Sequence, residues 1–229
     1  MRKACIFLIT ILFLNISVHY IVENSNSKYV MNNNLINQIS RRVPNYTNIN
    51  DIPNNLKNAV VATEDRRFYQ HGAFDFISIG RALITDIKEG KFKEGGSTIT
   101  QQLAKNLFLS NDKTIKRKFK EIFFTMELER RYTKDQILEM YLNVIYYGSN
   151  VYGVENASER YFNKSLKKLS LSECSMLAGI PQAPNDYNPE KHIDKAKKRQ
   201  KIVLNAMVKS GFINKKVQEN AWNKSLVIN

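Results

Sequence analysis

The pattern of apolar and polar positions divides the chain into three regions. From Ala4 to Val22 most positions are apolar, and the body reads Ile6-Phe7-Leu8-Ile9-Thr10-Ile11-Leu12-Phe13-Leu14. A helix of ~20 such residues crosses a bilayer core. Asn15, Ser17 and His19 weaken the C-terminal half of the run, and Arg2 and Lys3 precede it. Basic residues stay on the cytoplasmic side. No Ala-x-Ala-like cleavage site follows, so residues 1–22 are expected to form an uncleaved anchor. The rest of the chain is then expected outside the cell membrane. Residues 23–50 are rich in Asn and Ser, with Pro44 and Pro53 near their end, and read as a polar tether.

From Leu56 onward the apolar spacing is helical. Leu56, Ala59, Val60 and Thr63 share one face, and so do Phe76, Ile79, Leu83 and Ile87. Thr98 with Gln101, Thr133 with Gln136 and Ser170 with Glu173 have the spacing of capping boxes at helix starts. Ile115, Phe119, Ile122, Phe123 and Met126 predict the buried stripe of a long helix ending near Arg131. Lys195 to Ser210 reads as a helix closed by Gly211. The strand-like run Val144 to Val154 contains Gly148 and Gly153 and is too short to argue a sheet. The expected class is all-α, with one domain over residues 51–229.

Composition narrows the partners. Of 229 residues 43% are hydrophobic, enough to build a core and to exclude wholesale disorder. Lys and Arg number 35 against 21 Asp and Glu, a net charge of +14. Such a balance points to nucleic acid, an anionic membrane surface or a phosphorylated substrate. Cys5 and Cys174 exclude a disulfide scaffold and a Cys-rich zinc site. His19, His71 and His192 are scattered and do not make the His pair of a zinc hydrolase.

Three clusters carry candidate chemistry. Glu64-Asp65-Arg66-Arg67-Phe68 closes a helix whose other face is apolar. A carboxylate at such a border is partly desolvated, a setting suited to a general base as well as to a plain charge cluster. Gly95-Gly96-Ser97-Thr98-Ile99-Thr100-Gln101-Gln102 leads into a helix start. There free backbone N–H groups and hydroxyls suit an anion, and Lys105 lies one turn beyond Gln101. The loop lacks the Gly-Lys-Ser/Thr of a Walker A motif. Lys113, Lys116, Arg117, Lys118 and Lys120 form a basic run ending at Glu121, whose neighbours Phe119 and Ile122 are expected to be buried. A second basic stretch, Lys195 to Lys201, reads as surface. Two carboxylates, a glycine-hydroxyl loop and a cation cluster suit transfer chemistry with a departing diphosphate. Two carboxylates flanking a sugar bond are also the equipment of glycosidases.

These blocks, in this order, resemble the peptidoglycan glycosyltransferases of glycosyltransferase family 51, the transglycosylase domain of class A penicillin-binding proteins. The first block runs from Glu64 through His71 to Asp75, and the second from Gly95 to Gln102 and on to Lys105-Asn106. The third is Arg117-Lys118-Phe119-Lys120-Glu121, closing at Leu128-Glu129. The fourth spans Lys134 to Gly153, and the fifth Leu169 to Pro189. Ala73 and Thr125 depart from the family pattern at a turn and a packing position.

The resemblance implies a lysozyme-like helical domain with a small membrane-dipping lobe around Phe74 to Ile87. It implies polymerisation of lipid II, a disaccharide-pentapeptide on undecaprenyl diphosphate, with inversion at the sugar carbon. Glu64 becomes the general base and Glu121 an assistant on the donor side. Lys105, Lys113, Arg117 and Lys120 would neutralise the diphosphate. Ser97, Thr98, Gln101, Gln102 and Asn106 would position substrate, and Asp65, Phe68, His71 and Asp75 would support the first motif. No cofactor or dedicated metal site is expected, and a divalent cation, Mg²⁺ or Mn²⁺, is compatible with the diphosphate. The expected partners are lipid II, the growing glycan chain, the membrane and other cell-wall synthesis proteins. The chain ends soon after the fifth block, which reads as a monofunctional enzyme. Two rival readings are a lysozyme-like glycan-cleaving enzyme and a non-catalytic, membrane-tethered basic binding module. An external location argues against nucleic acid as the partner.

Overall fold

The computed structural model describes residues 27–77, 80, 96–110 and 114–229. The expected anchor over residues 1–22 and most of the expected lobe lie outside the described residues. Among the described residues no helix is long and apolar enough to cross a membrane. In chain order the α-helices are α1 (Leu35–Ser40), α2 (Asn54–Glu64), α3 (Ile99–Phe108), α4 (Ile115–Arg131) and α5 (Lys134–Val144). They continue as α6 (Val154–Phe162), α7 (Leu171–Gly179), α8 (Ile193–Lys209) and α9 (Lys215–Asn223). The described residues hold no strand, so the all-α expectation stands. The strand-like run is a tight turn with one antiparallel bridge, Tyr146 to Tyr152. At Gly148, φ is +88°, and a Cβ would lie 2.6 Å from the Pro184 carbonyl oxygen, so only glycine fits there.

The centre of the domain is α7. Every residue from Ser172 to Gly179 is buried, as expected of a helix without a solvent face. It packs against α2 and α8, which also pack on each other. A second layer sets α3 against α4 and α5. Its contact includes Phe108 and Phe124, stacked with centroids 4.3 Å apart. All three predicted capping boxes form, at the starts of α3, α5 and α7. Loss of such a cap costs about 1 kcal/mol. Gly211 closes α8 with φ +76°.

Two expectations are corrected. Most of the stripe on α4 faces outward: Ile115, Phe119 and Met126 are 79%, 67% and 52% exposed, whereas Ile122 is only partly buried and Phe123 is partly buried against the core. The buried side is Glu121, Phe124, Thr125 and Leu128, which also has helical spacing. It wins because Phe124 and Leu128 meet the core, each worth roughly 1.5–3 kcal/mol on burial. The two polar members are satisfied locally. Thr125 Oγ1 donates to the Glu121 carbonyl at 2.7 Å.

The polar segment before residue 51 is also built into the domain. Tyr29, Leu35 and Ile39 are core residues. Glu139 of α5 accepts from the Tyr46 hydroxyl at 2.6 Å and the Ile49 N–H at 2.8 Å. The Asn143 side chain pairs with both the N–H and the carbonyl of Thr47, each at 2.8 Å. The segment is therefore held both by its apolar residues in the core and by buried polar side chains that strap its backbone down.

Candidate active site

Glu64 is the last residue of α2, and its side chain is 11% exposed. One oxygen accepts from Gln102 Nε2 of α3 at 2.8 Å, and the other lies 3.6 Å from Arg199 Nη2 of α8. The Tyr141 hydroxyl of α5 donates to Gln102 Oε1 at 3.1 Å, which fixes the orientation of the amide. Tyr147 is fully buried, and its hydroxyl has no hydrogen-bond partner among the described residues. Burial first, then the charge of Glu64, holds both phenols well above the ordinary tyrosine range.

Arg199 was expected on the surface and is buried, 8% exposed. It crosses α7 at Gly179, where a Cβ would stand 2.8 Å from its Cγ, and its Nε donates to the Gly179 carbonyl at 3.3 Å. Burial draws its guanidinium below the ordinary arginine value, against the pull of Glu64 and Tyr187. The basic run Lys195 to Lys201 concealed this role, because nothing local sets one of its cations apart.

The residues after Glu64 form a brace. The Asp65 carboxylate faces His71 Nε2 at 2.8 Å and accepts the Ile99 N–H at 3.2 Å. The latter ties the end of α2 to the first turn of α3, where N–H groups lack helical partners. His71 Nδ1 faces the Gly72 carbonyl at 2.6 Å. Asp75 is held by Arg67, with Nε at 3.1 Å. Phe68 is buried beneath Lys134, whose Nζ lies 4.5 Å from the ring centroid. Asp65, His71 and Asp75 offer ligand atoms within 4.8 Å of one another. Asp65 is already bonded to His71 and Ile99, and a guanidinium stands on Asp75, so the set fits a hydrogen-bond brace better than a metal ion.

The second motif serves two purposes. The side chains of Thr98 and Gln101 are committed to the α3 capping box. Ser97, Lys105 and Asn106 are exposed, and Gln102 reaches Glu64. Thr100 Oγ1 donates to Glu129 at 2.5 Å, and Lys134 pairs with the same carboxylate at 2.7 Å. Glu121 is 4% exposed and is paired within its own helix, with Lys118 and with Arg117 Nη1 at 3.6 Å. Lys120 is partly buried, and Lys113 lies outside the described residues. α3 thus presents Gln102 to Glu64 and packs against α4, the helix that carries the Glu121 cation cluster.

The transglycosylase family model matches residues 32–208, a span that includes α1 and the strapped segment. Penicillin-binding protein 1F of Bacillus subtilis is 44% identical over 230 residues, covering 97% of this chain and 32% of that protein. Penicillin-binding protein 1A of Aquifex aeolicus is 46% identical over 183 residues, covering 80% of this chain and 25% of that protein. The crystal structure of penicillin-binding protein 1A from Haemophilus influenzae aligns with a TM-score of 0.48 at 24% identity, over 80% of this chain and 18% of that one. The chain thus spans a third or less of the length of these relatives. With the family match covering most of the chain, and the residues of the first three motifs meeting around α3, the chain belongs to the transglycosylase family.

Proposed function

We propose that the chain polymerises lipid II into linear glycan strands and releases undecaprenyl diphosphate. The observation that carries the reading is the setting of Glu64. Its carboxylate stands at a helix end, oriented by a neutral amide from α3 and a buried guanidinium from α8. A base held in this way takes a proton in a defined direction. Glu64 removes the proton from the 4-hydroxyl of the acceptor's N-acetylglucosamine. That oxygen forms the new bond to C1 of the donor's N-acetylmuramic acid while the C1–diphosphate bond breaks, with inversion. The leaving diphosphate keeps the electron pair, and Arg117, Lys120, Lys105 and Lys113 neutralise it. Glu121 holds Lys118 and Arg117 in place from their own helix, and Ser97 and Asn106 position sugars.

The outward stripe of α4, together with exposed Phe76 and Ile77, suits contact with a bilayer. Lys116 and Lys118 beside it suit anionic head groups. Residues 1–22 would anchor the domain with the N-terminus in the cytoplasm and the catalytic face outside. The side-chain cations supply the charge that a divalent ion would otherwise bring, so polymerisation is expected to persist in EDTA.

Purified protein with labelled lipid II in detergent, resolved by glycan length on a gel, tests the reaction. A ladder from the wild type and none from a folded Glu64→Gln variant is the expected outcome. Release of soluble muropeptides from cell wall, without a ladder, would replace this reading with glycan cleavage.

A further inference from the structure

A cavity of about 550 Å³ lies along the end of α2, lined by Val61, Arg66, Arg67, Tyr69, Gln70, Ser210 and Phe212. Val61 stands one turn before Glu64 on the same helix, and Arg66 two residues after it. None of the functional residues assigned above lines it. Among the described residues its lining holds two guanidinium groups and no carboxylate. Arg67 is neutralised by Asp75. Arg66 is exposed, has no acidic partner among the described residues, and is steadied by donating to the Lys209 carbonyl at 2.8 Å. The Ser210 Oγ is buried and has no hydrogen-bond partner among the described residues. A buried hydroxyl left unpaired costs about 1–3 kcal/mol, so it points to a polar ligand or water at this spot. Tyr69 and Phe212 add partly exposed aromatic walls, 54% and 39% accessible, and the Tyr69 hydroxyl is anchored on Asp135 at 2.9 Å.

We infer that this cavity binds a carboxylate of the peptide arm carried by the glycan, through Arg66, Gln70 and Ser210. The inference rests on the polymerase reading for the identity of the arm. One uncompensated guanidinium beside an amide and a hydroxyl suits a single planar carboxylate, which accepts the Arg fork in bidentate fashion. A diphosphate calls for several cations, and Arg117 and Lys120 of α4 with Lys105 and Lys113 are assigned to it instead. The aromatic walls suit the small apolar side chains of a peptide rather than a second sugar phosphate.

The probe is the soluble disaccharide-pentapeptide, free of lipid and diphosphate, compared with the same molecule after amidation of every carboxylate. Binding is read by titration calorimetry or by NMR shifts on the full chain in detergent. The wild type is expected to bind the acid form about tenfold more tightly than the amide, as a charge-assisted hydrogen bond would give. Arg66→Gln is expected to abolish that difference. Gln70→Ala, on an exposed side chain that braces nothing, should reduce it about twofold to threefold with the melting temperature unchanged. No binding, equal binding of the two forms, or a preference that survives Arg66→Gln would each overturn the inference. The outcome is independent of the glycan ladder. A ladder without carboxylate preference defeats the pocket alone, and a missing ladder defeats the polymerase reading alone.

Discussion

Glu64 and Glu121 are both nearly buried carboxylates in the same domain, yet they are held in opposite ways. The partners of Glu121 are Arg117 and Lys118, four and three residues away on its own helix. The partners of Glu64 are Gln102 and Arg199, 38 residues away along the chain in one case and on α8 in the other. A carboxylate paired within one helical turn keeps its ion pair whenever that helix forms. A carboxylate oriented by three separate helices keeps its geometry only when the whole domain is assembled. The first arrangement suits a fixed charge beside a diphosphate, and the second a base that must point in one direction.

The contrast predicts a ranking of effects. Glu64→Gln should cause the largest loss, about 10²–10⁴-fold in turnover as for removal of a general base, with folding intact by circular dichroism. Arg199→Met should follow, with about a tenfold fall in kcat, as loss of a charge-assisted contact would give, and little change in KM. Arg199→Lys should recover part of that loss if the charge rather than the fork orients Glu64. A rise in KM alone would mean that Arg199 binds substrate instead. Lys118→Ala should be milder, about threefold in turnover and less at high salt, because a half-exposed pair is screened and is worth well under 1 kcal/mol.

The smallest effect concerns Glu173, far from both acids in role. Burial opposes its charge, yet Lys164 at 2.5 Å and Ser170 at 2.7 Å hold it below the ordinary glutamate value. A depressed carboxyl contributes stability above its unfolded value, and that contribution is lost as pH falls through the folded one. Glu173→Gln should therefore lower the melting temperature by about 2–4 °C at neutral pH, as expected for ~1 kcal/mol in a domain of this size. The gap should close as both proteins are acidified below the ordinary glutamate range.

Local signals were read correctly where their partners were close in sequence. The three capping boxes needed only a hydroxyl and an amide or carboxyl three residues apart, and all three are present. The α4 stripe misled because that helix carries two apolar faces at helical spacing. Phe119 and Met126 satisfy the pattern as well as Phe124 and Leu128 do, and only the neighbouring α3 decides which pair is buried. The segment before residue 51 misled for a different reason. Its composition is that of a tether, but Glu139 and Asn143, nearly 100 residues away, supply its hydrogen bonds.

By itself the sequence determined the helical class, the helix starts, and the order of motifs that carries the family resemblance. These depend on spacing within a turn or two, where chain geometry leaves little choice. Tertiary structure alone decided that Arg199 crosses α7 to Glu64, that Gln102 rather than Gln101 faces the carboxylate, and that the α4 stripe looks outward. Each of those outcomes is a contact between elements distant in sequence. Such contacts are selected by competition for a limited interior, in which Gly179 leaves room for an arginine and Phe124 displaces Phe119.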